Sequence, residues 1–203
     1  MAKRSEHSPE ELKALILDAA EIIVAEEGIS ALNARRLARE IGYTIGSIYM
    51  VFANMADLIM QINARTLDQL AENLLMVNDE NDTQFLELWS MSYLSYARQN
   101  FNQWSCALKY TLPTQVGHET QTWYKAKLNN IFHPVEAKLA QIKPAYTKEQ
   151  INYAARALST SIQGVCVLFL NKQSDETEIK EVEDIITVLV RNFLRGWLID
   201  TSE

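Results

Sequence analysis

Between Gly28 and Ala56 the only formally charged side chains are Arg35, Arg36, Arg39 and Glu40, inside a chain whose formal charge is −7. Guanidinium groups grouped this way suit two tasks: neutralising phosphate, and bonding the edge of guanine through two parallel N–H groups. A strongly acidic chain does not coat nucleic acid indiscriminately, because that takes cations clustered over a wide surface. A small positive island on an acidic body is compatible with steering one face toward a phosphate backbone. Thr44, Ile45, Gly46, Ser47, Tyr49 and Met50 follow, all uncharged. Their hydroxyls can bond base edges, their apolar tips can meet thymine methyls, and their small size allows deep insertion into a major groove. The plainer readings stay open. Arg36 and Arg39 serve equally well as solvated helix residues, and Tyr49 can be a core aromatic with its hydroxyl at the surface.

No comparable constellation points to catalysis. The chain shows no nucleophile paired with a base, no Gly-rich phosphate loop and no paired His-Glu motif. An enzyme is therefore not expected, and neither is a cofactor. His7, His118 and His133 have no metal-ligand spacing, and Cys106 with Cys166 matches no zinc pattern, so no metal site is expected. Two buried thiols in a reducing compartment fit better than a disulfide. No apolar run approaches the roughly 18 residues a span needs, and Met1-Ala2-Lys3-Arg4-Ser5-Glu6 leads into no apolar stretch. A cytoplasmic protein without a membrane segment is expected.

The elements that must hold these residues read as helices throughout, since no segment sustains period-2 alternation. Ser8-Pro9-Glu10-Glu11 is a capping box with proline at the first helical position, and Gly28 is the stop. Asn33 caps a short helix ending at Gly42, and Thr44 caps a second running to about Val51. Asn54 with Asp57 opens a long helix to about Val77. Further helices are expected over about 83–99 and 103–111, then, after a break from Pro113 to His118, over 119–142 with Pro134 as a kink. Two more follow, from Thr147 to about Leu170 and from Asp175 to near Ile199. The fold class is all-α: a three-helix helix-turn-helix domain over residues 1–56 and a larger helical bundle over 57–203, about nine helices in all.

Leu37-Ala38, then Gly42-Tyr43-Thr44-Ile45-Gly46-Ser47-Ile48-Tyr49-Met50-Val51-Phe52, then Leu58, reproduce residue types at fixed spacing. In this pattern the chain resembles the TetR family of repressors over about its first 60 residues. The resemblance implies that Arg35 reads a base edge, that Tyr49 binds phosphate, and that Thr44, Ile45, Gly46, Ser47 and Met50 face the groove. Two positions depart from it: Met55 stands where the family usually has a lysine that contacts the backbone, and Val51 where His or Tyr is frequent. Lys3 and Arg4, on the N-terminal arm, are expected to compensate on phosphate or in the minor groove.

The final helix carries Ile186, Leu189, Val190, Phe193 and Trp197 in a nearly unbroken stripe. Its predecessor, with Val165 and Phe169, is apolar all round from Val165 to Leu170. A helix apolar on every side needs neighbours on every side. A second copy packed across a two-fold axis would supply one, which is also the mode the resemblance implies. It implies in addition a pocket for a partly apolar small-molecule effector. Trp89, Tyr93, Trp104, Trp123 and Tyr124 are the candidate walls and Gln163 a polar point, although aromatics at helical spacing are more often core. The expected partners are thus a double-stranded DNA operator, an effector and a second copy of the chain. The expected function is a ligand-released repressor. The alternative is a protein of the same kind, binding a ligand or partner, with weakened or lost DNA binding.

Overall fold

The structure is a computed structural model and describes residues 7–79, 81–110, 118–171 and 175–199. Lys3, Arg4 and the expected break at 113–117 lie outside the described residues. The regular structure among the described residues is entirely helical. The elements are α1 (Pro9–Glu27), a 3-10 turn (Ile29–Ala31), α2 (Ala34–Glu40), α3 (Ile45–Val51), α4 (Met55–Leu75), α5 (Asp82–Gln99), α6 (Phe101–Lys109), α7 (His118–Ile142), α8 (Lys148–Phe169) and α9 (Glu176–Leu198).

Capping chemistry sets the boundaries. At α1 the Glu11 N–H donates to Ser8 Oγ at 3.2 Å and the Ser8 N–H donates to Glu11 Oε2 at 2.7 Å, the reciprocal pair of a capping box. The helix stops at Gly28, whose φ of 84° is costly for a residue with a Cβ. Asn33, Thr44, Thr147 and Asp175 each accept from a backbone N–H two or three residues on, at the starts of α2, α3, α8 and α9.

The chain divides into two compact units. The first takes the described residues up to Thr66 together with those of Asn102–Gln121; the second takes those of Leu67–Phe101 and of Thr122 onward. These units differ from a division at residue 56, because α4 stays with the first as far as Thr66 and α6 joins it.

In the first unit, Leu12, Ile16, Ala20, Ile23 and Val24 of α1 share one buried core with Leu37, Ile48, Phe52, Leu58, Ile62 and Cys106. Polar ties surround it. Arg65 Nη1 reaches Asp18 Oδ1 at 2.7 Å and Glu21 Oε2 at 3.3 Å, joining α4 to α1. Asn102 Nδ2 donates to the Ala25 carbonyl at 2.7 Å, satisfying an acceptor in the last turn of α1. The Tyr110 hydroxyl donates to the Ala56 carbonyl at 3.2 Å. Asn102, Cys106 and Tyr110, four residues apart, form one face directed at α1 and α4.

In the second unit, α9 packs on α5 and α8 through Ile179, Val182, Ile186, Val190 and Leu194, all buried. Lys127 Nζ bonds both carboxylate oxygens of Asp68, at 2.8 and 2.6 Å. Lys138, nearly buried, donates to the Asp79 carbonyl at 3.0 Å and pairs with Asp82 at 3.1 Å. Arg191 Nε meets Glu87 at 2.6 Å. No single helix among the described residues is long and apolar enough to cross a membrane.

Both cysteines are free and buried. Burial raises both thiols, and Cys166 is pushed up to about 12. A raised thiol pKa leaves the unreactive protonated form dominant at ordinary pH. In a thiol titration at about pH 8, the folded protein should therefore react slowly with an aromatic disulfide reagent, and both cysteines should react promptly in denaturant. Rapid modification of either in the folded state would contradict the packing.

Candidate nucleic-acid interface

The two short helices of the first unit are fixed from beneath. Leu37 and Ala38 of α2, Ile48 of α3 and Phe52 just after it are buried in the shared core. Between the helices Gly42 adopts φ 71°, and the Tyr43 N–H donates to the Ala38 carbonyl at 2.9 Å, closing the turn. Space around the missing Gly42 Cβ is open, so its backbone conformation rather than crowding calls for glycine. The His7 Nδ1 lies 2.6 Å from the Tyr43 hydroxyl, pinning the residue ahead of α1 to this turn.

Inward anchoring determines what faces out. Thr44, Ile45, Gly46, Tyr49 and Met50 are exposed and Ser47 is half-buried. Met50 stands out at 82% exposed. Thr44 Oγ1 accepts from the Ser47 N–H at 3.2 Å and lies 3.0 Å from Ser47 Oγ, so the two hydroxyls engage each other as they cap the helix.

The three arginines have separate fates. Arg35 and Arg39 are exposed on α2. Arg36 instead forms a two-pronged pair with Glu27 at the end of α1, its Nη1 2.8 Å from Oε2 and its Nη2 on Oε1. Hydrogen bonding to Glu27 raises its pKa further. Arg36 thus ties α2 to α1, leaving Arg35 and Arg39 as the cations of this surface.

Met55 is half-buried and packs against the same core, while Asp57 and Asn54 cap the start of α4. A charge at position 55 has been traded for an apolar contact. Nothing in the sequence signalled that role, and the same holds for His7.

The second unit holds most of the expected pocket residues. Trp89, Tyr93 and Tyr124 are buried, with the Trp89 and Tyr93 rings stacked at 5.9 Å. Gln163 is half-buried. Trp123 is 42% exposed, with the Lys127 ammonium 5.1 Å from its ring centroid. Trp104 is buried but belongs to α6 in the first unit, so it is not grouped with the others.

Of the residues expected between copies, Ile186 and Val190 are fully buried within the single chain. They correct the sequence expectation. They lie at the spacing that turns them toward α5 and α8, so they have no surface to offer a partner. Phe169 is exposed; Val165, Leu189, Phe193 and Trp197 are half-buried. The outward apolar surface is carried by Val167, Leu168 and Phe169 of α8 and by Val188, Leu198 and Ile199 at or just past α9.

Residues 16–62 match the family model described as bacterial regulatory proteins, tetR family. The matched span runs from the core of α1 through the turn and α3 into α4. This segment is similar to the N-terminal domain of the TetR family. No curated relative matches the sequence.

Solved structures agree in fold over most of the chain. PfmR, a TetR-family transcriptional regulator from Thermus thermophilus, is 14% identical with a TM-score of 0.65, covering 87% of this chain and 97% of its own. The transcriptional regulator FadR from Bacillus subtilis, solved with stearoyl-CoA, is 16% identical with a TM-score of 0.65 over 87% and 97%. A TetR variant from Acinetobacter baumannii, solved with minocycline, is 19% identical with a TM-score of 0.64 over 91% and 97%. The family match covers the helix-turn-helix segment, and the likeness to solved structures is one of fold.

Gly42→Ala tests the turn. Its added methyl meets nothing, so the loss should equal the backbone cost alone, about 1–2 kcal/mol in urea unfolding. An unchanged midpoint would show that the turn does not depend on the left-handed conformation.

Proposed function

We propose that this chain is a repressor that binds a partly palindromic operator as a homodimer and leaves it when a partly apolar small molecule binds. The observation that carries DNA reading is α3 itself: a helix clamped to the core by Ile48, with Ile45, Tyr49 and Met50 exposed on its outer side. In this reading α3 enters the major groove, Arg35 bonds a base edge, Tyr49 and Arg39 reach phosphate, and Thr44, Ile45, Gly46, Ser47 and Met50 line the contact. Lys3 and Arg4 extend it along the backbone. Residues 1–56 are the reading domain and 57–203 the effector and dimer domain.

Pairing of two copies rests on the outward face of α8 and α9. Leu168 at 80% exposed, with Val167, Phe169 and Val188, is apolar surface that water solvates poorly. Along α8 the exposed or half-buried positions Ala157, Ser161 and Gly164 leave room for a close-lying helix. Val165, Leu189, Phe193 and Trp197 complete this face. Two reading helices related by a two-fold axis would then meet half-sites about one helical turn apart.

For the effector, Trp89, Tyr93 and Tyr124 supply aromatic walls, with Trp123 and Gln163 toward the surface. The Trp89 indole N–H and the Ser159 hydroxyl are buried and meet no hydrogen-bond partner among the described residues. Buried polar groups in that state invite a ligand or water to satisfy them. Minocycline and stearoyl-CoA in the solved relatives are ligands of the same broad kind, large and partly apolar. Only Asn100 separates α5 from α6, and α4 runs unbroken from the reading head onward. Both are covalent routes by which an occupied pocket can shift the spacing of the heads. Release requires the effector to bind the free protein more tightly than the operator-bound one; equal affinity for both would rule it out.

Operator binding is tested on a duplex selected in vitro by the purified protein. Arg35→Ala should lose about 1–3 kcal/mol of affinity in a gel shift and relax the choice of base at one position. Arg36→Ala should affect all duplexes alike, because its partner is Glu27. Failure to select any duplex, with the dimer intact, would favour the alternative in which DNA binding is lost. That reading draws on the packed Met55 and the sequestered Arg36.

Leu168→Glu tests the dimer without touching the core. By sedimentation equilibrium the variant should be monomeric with an unchanged helical spectrum, and its operator affinity should fall. A variant that stays dimeric would move the interface elsewhere.

A further inference from the structure

We propose that Met50, seated beside the open position at Gly46, reads thymine methyl groups and makes them a main determinant of the half-site sequence. The inference rests on the reading above in which α3 enters the groove. Among the described residues of the reading domain Met50 is the most exposed large apolar side chain, at 82%. Met50 follows Gly46 by four residues, so the two positions share one face of α3. A Cβ at Gly46 would touch only Thr44 Oγ1, at 3.6 Å. The surface there is a shallow notch with a flexible, polarisable thioether on its rim.

The rest of α3 narrows the choice of contact. The helix has no charged residue. The hydroxyls of its cap, Thr44, and of Ser47 lie within hydrogen-bond distance of each other. Tyr49 lies toward the Ile45 side, about 100° round the helix from Met50. Hydrogen-bond readout from this helix is therefore thin at the notch, and apolar readout is what Met50 can offer. In the major groove the apolar feature of a base pair is the C5-methyl of thymine.

The test couples a change in the protein to a change in the DNA. Each thymine of the selected half-site is replaced in turn by deoxyuridine, which removes the methyl and keeps every hydrogen-bonding group. Wild-type protein should lose about fourfold in affinity at one position per half-site, the worth of one methyl-sized group. Met50→Ala should bind the thymine duplex correspondingly more weakly and show no further loss on uracil at that position. Arg35→Ala should keep the full methyl effect. Thermal unfolding of Met50→Ala should match wild type, since the side chain supports no core contact.

A selected half-site without thymine under α3, equal wild-type binding to thymine and uracil duplexes, or an undiminished penalty in Met50→Ala would each overturn the proposal while leaving operator binding intact. Failure to select any duplex would overturn operator binding itself, and this proposal with it.

Discussion

Leu37 and Ile48 give up all their surface to the core beneath α1, and the reading face depends on that burial. Seven-residue helices have little stability of their own, because nucleation is costly and few hydrogen bonds follow it. α2 and α3 persist because each places a fully buried aliphatic side chain in a core built on the much longer α1. Once Ile48 points inward, the helical period turns Gly46, Tyr49 and Met50 outward, while Ile45 is exposed at the first position of the helix. Gly42 fixes the angle between the two helices, and the Asn33 and Thr44 caps fix where each begins.

The same core reaches beyond the reading helices. Cys106 of α6 is part of it, and Asn102 and Tyr110 bond carbonyls of α1 and α4 on either side. Arg65 ties α4 to α1 through two carboxylates, one of which, Glu21, is partly buried and has its pKa raised by desolvation. A shift of α6 or α4 would therefore act on the second half of α1. Closely packed elements move between discrete arrangements more readily than they deform, which suits a switch between bound and released states.

Local chemistry made most of the fold legible in the sequence. The capping residues Ser8, Asn33, Thr44, Thr147 and Asp175 are read directly, because each satisfies a backbone group within a few residues of itself. What escaped depends on partners far along the chain. Arg36 reads from sequence as either a phosphate contact or a solvated helix residue, and only the fold brings it to Glu27, nine residues back. The Asn102, Cys106 and Tyr110 face emerges only from the fold, because its mixed polarity makes no apolar stripe in the sequence. Ile186 and Val190 belong to the same apolar stripe as Leu189, and only the packing of α5 and α8 divides that stripe into an inner and an outer side. Met55 carried the opposite lesson: a missing charge at a surface-facing position turned out to be an added core contact.

Those details bear on how affinity is partitioned. With Arg36 engaged and Met55 in place of a cation, Arg35 and Arg39 are the exposed arginines of α2, on a chain of net charge −7. Each phosphate neutralised releases counterions and steepens the dependence on salt, and it does so on any sequence. A regulator with few such contacts binds random DNA weakly. In the proposed reading, base contacts at Arg35 and Met50 carry a larger share of the total free energy, and an apolar contact to a methyl group is hardly screened by salt. Specificity is a ratio of affinities. The acidic chain and the reduced cation count weaken binding to right and wrong sites alike, so in the proposed reading the ratio is set by the base contacts and not by the phosphates.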